Sequence, residues 1–166
     1  ERDVESKNSK FKFSIAKDTD MNKILDLRNE KNNIINSNNS QKISRLSHYI
    51  WWLESRPKIW VLKKENLLKI VFWHKIINIH KRKYILTGWY SNKNLNFINV
   101  LNGIVKFNKS LKKNYKILSI VKKNNKVSLA IDKYLGYKKL ETIDSNIKNY
   151  LKNINVNLKK VIISIK

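Results

Sequence analysis

Residues 124–137 read Asn-Asn-Lys-Val-Ser-Leu-Ala-Ile-Asp-Lys-Tyr-Leu-Gly-Tyr and carry signals for both ends of a helix. Asn124 or Asn125 suits the N-cap, because a short amide side chain accepts a hydrogen bond from a free amide of the first turn. Gly136 suits the left-handed conformation that ends many helices. One face between them is apolar: Val127, Ala130, Ile131, Tyr134 and Leu135. The stretch therefore predicts a short amphipathic helix.

Outward from this helix, the hydrophobic period switches between that of strands and that of helices. Strands are predicted at 11–16, 59–62, 67–79, 84–90, 117–121, 137–143 and 161–165. Helices are predicted at about 18–29, 40–55 and 95–111, with one further turn in 144–157. In the second of these, Ile43, Leu46, Ile50 and Leu53 recur at helical spacing, and Pro57 ends the helix.

This order of elements predicts an α/β (α+β layered) fold, with a mixed, mostly antiparallel sheet flanked by about four helices. The length of 166 residues fits one domain, which we place at 11–166 after a flexible segment at 1–10. The opening segment is charged and polar, unlike a secretory signal, and it lacks Met. We therefore expect a chain that has been trimmed or cut from a longer one.

The composition excludes several classes of protein. Apolar residues make up 42%, which is typical of a globular chain. The absence of cysteine excludes disulfides, thiolate metal sites and a cysteine nucleophile, and we expect no metal site. No apolar run reaches the roughly 18 residues of a membrane span. Together these features favour a cytoplasmic protein.

The charge of +24 is unevenly distributed along the sequence. Residues 1–30 are balanced, so residues 31–166 carry the whole excess, and no acidic residue occurs from Asn66 to Ile131. A surface of one sign attracts polyanions. Nucleic acid, an anionic membrane, an acidic carrier protein and a phosphate-rich cofactor all remain open on this ground.

Two motifs resemble the GNAT superfamily of N-acyltransferases. Asn125-Lys-Val-Ser128 followed by Leu135-Gly136-Tyr137 is similar to the family's late helix, Asn-x-x-Ser/Ala and then Leu-Gly-Phe/Tyr. The resemblance covers residues 11–166. It implies transfer of an acetyl or related acyl group from acetyl-CoA or another acyl-CoA to a small amine. It also implies a sheet that splays between its two central strands, with the cofactor arm in the gap.

The second motif concerns the acceptor. Leu27-Arg28-Asn29, followed by Ser40, Ile43, His48 and Trp51, resembles the subgroup that acetylates amino groups on nucleotide-linked sugars. The resemblance implies an acceptor site that contains Arg28, Asn29, His48 and Trp51.

On the cofactor side, the resemblance implies that backbone amides at the start of the third helix bind the pyrophosphate, with Asn125 supporting the arm. The amides belong to Leu95, Asn96, Phe97, Ile98, Asn99 and Val100. Phe97 and Asn99 stand where the family has glycines. A bulky residue there would block the phosphate seat, and Phe tolerates a left-handed backbone poorly.

The catalytic positions also depart from the family. Asp132 occupies the place of the tyrosine that protonates the leaving thiolate, and an ionised carboxylate cannot donate. Tyr134 is the alternative candidate, although two residues along a helix turn it about 200° away. Three hypotheses follow: an acyl-CoA-dependent N-acyltransferase, a catalytically degenerate domain of the same fold that acts as a binding module, and a basic nucleic-acid-binding domain. No nucleic-acid-binding motif supports the third, and we expect no specific nucleic acid.

Overall fold

The computed structural model describes residues 11–111 and 114–166. Its strands are β1 (Lys12–Ile15), β2 (Ile59–Lys64), β3 (Leu67–Ile79), β4 (Arg82–Ser91), β5 (Lys116–Lys122), β6 (Lys138–Lys139) and β7 (Val161–Ile165). Its α-helices are α1 (Met21–Arg28), α2 (Lys31–Asn36), α3 (Arg45–Ser55), α4 (Phe97–Ser110), α5 (Lys126–Tyr134) and α6 (Ser145–Asn153). Short 3-10 turns cover Asp18–Asp20 and Leu158–Lys160. The expected flexible segment 1–10 lies outside the described residues.

The seven strands form one sheet in the order β1-β2-β3-β4-β5-β7-β6. Every neighbouring pair is antiparallel except β4 with β5, which is parallel. This confirms the mixed, mostly antiparallel sheet of a single α+β layered domain.

Helices cover both faces of the sheet. On one face, α4 and α5 bury Val100, Ile104, Phe107 and Ile131 against Phe72 and its neighbours. On the other face, α1 and α3 cover β2 and β3, and α6 covers the end that includes Leu118. Successive residues of a strand alternate between these layers, as Val71 and Phe72 do.

Six α-helices replace the predicted four or so. The stretch Lys31–Asn36, which contains three asparagines and for which no helix was predicted, forms α2, and α6 runs for nine residues where one turn was expected. The late strand shrinks from 137–143 to Lys138–Lys139. The second predicted helix starts later, because Ser44, rather than Ser40, is the N-cap and accepts from the Ser47 amide.

The apolar stripe predicted for the buried face of that helix is exposed to solvent instead. α3 packs on the sheet through Trp52 and His48, which are buried, so the side chains of Leu46, Ile50 and Leu53 lie on the exposed side. A large aromatic ring and a hydrogen-bonded imidazole, four residues apart, therefore decide the buried face.

Candidate functional site

The parallel strands β4 and β5 separate partway along their length. They pair only from Tyr84↔Lys116 to Leu86↔Leu118, yet β4 continues to Ser91 and β5 to Lys122. A cleft of about 1100 Å³ opens in the gap and is lined from both faces of the sheet. This is the splay that the resemblance implied.

The open half of β4 keeps backbone groups free for a ligand. Antiparallel pairing directs alternate residues to opposite sides, and the Asn92 amide donates to Lys69 O on the β3 side. Ser91 therefore faces the gap, where the buried side chain of Asn33 donates to its carbonyl at 3.0 Å and accepts from its amide at 3.4 Å. Trp89 has the same orientation, and no strand pairs with it in the gap. Its N–H and C=O groups are thus presented to the cleft.

Gly88 shapes the wall of the cleft. A Cβ built on it would lie 2.3 Å from the indole ring of Trp73, its cross-strand neighbour on β3. The glycine lets the ring lie flat over β4, and both residues line the cleft.

The start of α4 contributes part of the predicted phosphate loop. Leu95, Phe97 and Val100 line the cleft, whereas Asn96, Ile98 and Asn99 do not. Asn96 is the N-cap, and its side chain accepts from the Asn99 amide at 3.0 Å. That bond occupies one of the amides predicted to bind phosphate.

The backbone strain expected at Phe97 is absent, because Phe97 and Asn99 are both helical and neither has a positive φ. Phe97 is half-exposed at the cleft mouth. The bulky Phe97 side chain takes up space in the cleft lining, but its backbone has the usual helical conformation.

The N-terminus of α5 and the face of that helix form the opposite wall. Asn125 lines the cleft as the N-cap, and its side chain accepts from the Ser128 amide at 3.1 Å. About two turns after Asn125, Asp132 lines the cleft and accepts a 2.6 Å hydrogen bond from Ser119 of β5. Burial raises the pKa of Asp132, and the bond from Ser119 offsets part of that rise. The carboxyl is therefore easier to protonate than an exposed one.

Tyr134 lies outside the cleft and is 68% exposed. The 200° turn from Asp132 directs it to solvent, so its predicted catalytic role has no geometric support.

Sequence reasoning missed a polar cluster beside Asp132. The Tyr137 hydroxyl donates to Asn108 of α4 at 3.2 Å, and both residues line the cleft. Burial raises the pKa of Tyr137, and the nearby Asp132 charge raises it further. Tyr137 could have been found from the sequence, because it is the last residue of the Leu-Gly-Tyr motif. Asn108 lies 29 residues away in the sequence, and no motif contains it.

The four predicted acceptor residues separate in the structure. Only Arg28 lines the cleft, where its Nη2 donates to Asn39 O at 2.9 Å. The amide of Asn29 instead pairs with both backbone groups of Ile43 at 2.8 and 2.9 Å, which anchors the loop before α3. The acceptor role predicted for Asn29 is replaced by this structural one.

His48 and Trp51 are also remote from the cleft lining. The Nε2 of His48 lies 3.1 Å from Met21 O, which ties α3 to α1, and burial lowers the pKa of the imidazole. Trp51 is 42% exposed beside that ring. His48 thus belongs to a helix–helix contact, and Trp51 packs beside it on the same helix.

Within residues 11–111 and 114–166, no cluster of His, Asp and Glu is suited to a metal ion. Across the same ranges, no helix combines the length and the apolar character that a membrane crossing requires.

No protein-family model matches the sequence, and no curated protein matches it significantly. Solved structures match it over nearly the whole chain. A ribosomal-protein-alanine N-acetyltransferase from Brucella melitensis is 13% identical, with a TM-score of 0.65, over 93% of this chain and 98% of that one. A GNAT-family acetyltransferase from Streptococcus pneumoniae is 9% identical, with a TM-score of 0.64, over 95% and 98%.

A Salmonella typhimurium protein solved with its cofactor acetyl-CoA is 10% identical, with a TM-score of 0.62, over 93% and 91%. Identities this low establish the architecture and leave the chemistry to the residues of the cleft. The chain has the GNAT N-acyltransferase fold.

Proposed function

We propose that this chain is an N-acyltransferase that moves an acetyl or related acyl group from acyl-CoA to a small amine. The observation that carries the proposal is the separation of β4 from β5 beyond Leu86, which opens a cleft of about 1100 Å³ beside an unpaired strand edge.

The residues of the cleft fit acyl-CoA. Amides of the pantetheine arm would find partners in the free N–H and C=O of Trp89, as an added strand would. At the start of α4, the amides of Phe97 and Ile98 have no acceptor among the described residues, and a helix N-terminus favours phosphate. Lys93 lines the same end of the cleft. When bound, the cofactor supplies an acyl group activated as a thioester.

Asp132 holds the proton in this scheme. An amine acceptor is an ammonium ion at neutral pH and must lose a proton before its nitrogen can form a bond. Asp132 is the only carboxyl among the described residues that line the cleft, and Ser119 orients it through Oδ2. We assign Asp132 as the acceptor of that proton. Once protonated it is neutral, so it no longer repels the departing thiolate.

The residues of the cleft say more about the class of acceptor than the family resemblance does. The proposal of a nucleotide-linked amino sugar now rests on Arg28 alone, since Asn29, His48 and Trp51 lie elsewhere. An acidic acyl carrier protein as a partner is supported by the positive charge of the chain. We give Tyr134 no role in catalysis.

Calorimetric titration with acetyl-CoA at about 150 mM salt, where nonspecific attraction is screened, tests the proposal. We expect saturable one-to-one binding that weakens when the pantetheine arm is removed. Binding that any polyphosphate reproduces would contradict it. Tight binding without transfer to any amine in a screen would instead favour the degenerate binding module.

The role of Asp132 is tested by Asp132→Asn, for which we expect turnover to fall about 100-fold while acetyl-CoA affinity is retained. The matched control is Asp26→Asn, because Asp26 is exposed and pairs only loosely with Arg45 at 4.0 Å. Equal turnover in the two variants would remove Asp132 from the mechanism.

A further inference from the structure

Two cations beside the cleft lack a negative partner among the described residues: Arg28, which lines the cleft, and Lys122, which does not line it but bonds the cleft-lining Ser40. Ion pairs among the described residues involve Arg45, Arg56, Lys63 and Lys139, and neither Arg28 nor Lys122 forms one. Glu30, two residues from Arg28, forms no ion pair with it and does not line the cleft. Unlike the many lysines on the surface, Arg28 and Lys122 are held in place by the fold.

Arg28 is half-buried at the end of α1. Its Nη2 donates to Asn39 O, but its Nη1 is buried and has no hydrogen-bond partner in the described part of the chain. A buried donor without an acceptor is costly, more so when it is charged. The phenol of Tyr90 is the one titratable group whose charge would act on Arg28, but desolvation of its hydroxyl raises its pKa, so it stays neutral.

Lys122 approaches from the opposite strand. Its Nζ, at the end of β5, donates to Ile35 O and to Ser40 Oγ, each at 2.6 Å. Both acceptors are neutral. Burial lowers the pKa of Lys122, and the positive charges of Lys160 and Arg28 lower it further. The fold therefore brings like charges together, and no carboxylate of the described residues forms an ion pair with either of them.

The loop between α2 and α3 joins the two cations. Residues 37–41 line the cleft, and this loop bonds Arg28 through Asn39 and Lys122 through Ser40. Its other cleft-lining residues are neutral Ser, Asn and Gln side chains. The loop thus offers neutral hydrogen-bond donors and no carboxylate, and two cations lie beside it. This combination favours binding of an oxyanion.

We propose that the acceptor amine carries a carboxylate or phosphate group, which Arg28 and Lys122 bind at this end of the cleft. This proposal rests on the proposed acyltransferase function and names its substrate class. Arg28 and Asp132 line the same cleft, so an acceptor whose oxyanion binds Arg28 would have its amine within the cavity that contains the proposed proton acceptor.

Matched amines test the proposal. With saturating acetyl-CoA, kcat/KM is measured for propylamine against β-alanine, and for ethanolamine against O-phosphoethanolamine. The first pair reports on a carboxylate and the second on a phosphate. We expect the anionic member of at least one pair to be favoured about tenfold or more. Arg28→Gln and Lys122→Gln should each bring that ratio toward one, whereas Arg28→Lys should restore part of it.

Arg56→Gln is the control, because Arg56 is exposed and lies outside the cleft lining. It should keep the wild-type ratio. Chemical shifts on titration with inorganic phosphate and with acetate give a second readout that needs no turnover, and we expect the shifts at cleft residues to disappear in Arg28→Gln.

Equal rates for neutral and anionic amines would overturn the proposal, as would a preference that survives both substitutions. Failure of the proposed function looks different, because either acetyl-CoA itself would not bind or no amine of either pair would be acetylated. Circular dichroism of Arg28→Gln separates lost recognition from lost folding, and Lys122→Gln provides an independent variant if the first unfolds.

Discussion

The two halves of β4 belong to one continuous strand and serve opposite purposes. From Tyr84 to Leu86 the strand pairs with neighbours on both sides, and all three residues are buried. From Thr87 to Ser91 it keeps only β3, and every residue is partly exposed. The closed half uses its hydrogen bonds to build the sheet, whereas the open half leaves some of them for a ligand.

The largest expected difference between the halves is in stability. Ile85→Ala removes a side chain that is 1% exposed in the closed half, and we expect the free energy of unfolding to fall by about 2–5 kcal/mol. Ser91→Ala in the open half should change it by less than about 0.5 kcal/mol. Urea denaturation measures both, and similar losses would refute the division.

Gly88→Ala tests how the open half forms a wall. The new methyl group must displace the Trp73 ring, and we expect a loss of about 1–3 kcal/mol together with weaker acetyl-CoA binding. Gly136→Ala is the matched comparison. Its φ of +81° makes alanine costly by about 1–2 kcal/mol, yet no atom lies within 4 Å of the new Cβ. Acetyl-CoA affinity should therefore fall only for Gly88→Ala.

The wall opposite the open half is tested by Asn125→Ala. Loss of the cap should lower the free energy of unfolding by about 1 kcal/mol and also weaken acetyl-CoA binding, because Asn125 lines the cleft. Ser44→Ala removes an equivalent cap from α3, away from the cleft. A loss of affinity in both variants would mean that general destabilisation, rather than the cleft wall, is responsible.

The smallest expected effect is a pH dependence of stability at Asp132. The pKa of its carboxyl in the folded protein lies above the ordinary 3.8, so folding favours the protonated form. Stability from this group is complete below pH 3.8 and is lost as the pH rises through the folded-state pKa. Asp132→Asn should not show this loss. The unfolding midpoint of the variant, relative to that of the wild type, should therefore rise between acidic and neutral pH. If the difference between the two unfolding midpoints stayed constant across that pH range, the raised pKa of Asp132 would be contradicted.

Local signals predicted the parts of the fold that local chemistry decides. The Asn125 cap and the left-handed Gly136 bound α5 as expected, with α5 ending at Tyr134 and Gly136 at φ +81°. The long apolar run from Leu67 became β3 to its last residue. The asparagines of α2 gave no helical signal in the sequence. The Asn33 side chain stabilises tertiary contacts that a sequence pattern does not show.

The candidate site was harder to predict because its contacts are distant in sequence. Asn33 meets Ser91 across 58 residues, and Lys122 meets Ile35 across 87. Arg28, Phe97, Asn125 and Asp132 were predicted and do line the cleft. His48 and Trp51, which the subgroup resemblance placed at the acceptor, do not line the cleft, because a motif match does not show which surface a helix packs against.

The side chain of Asn33 has a further consequence, for self-association. An unpaired strand edge is a template on which another chain can add a strand. The open half of β4 is such an edge, placed inside the molecule and bordered by α2 and the loop that follows. By bonding both backbone groups of Ser91, Asn33 ends that edge where it would otherwise reach the surface. On the proposed function, this side chain would leave the edge open to a small molecule inside the cleft while blocking addition of a strand from a second copy of the chain.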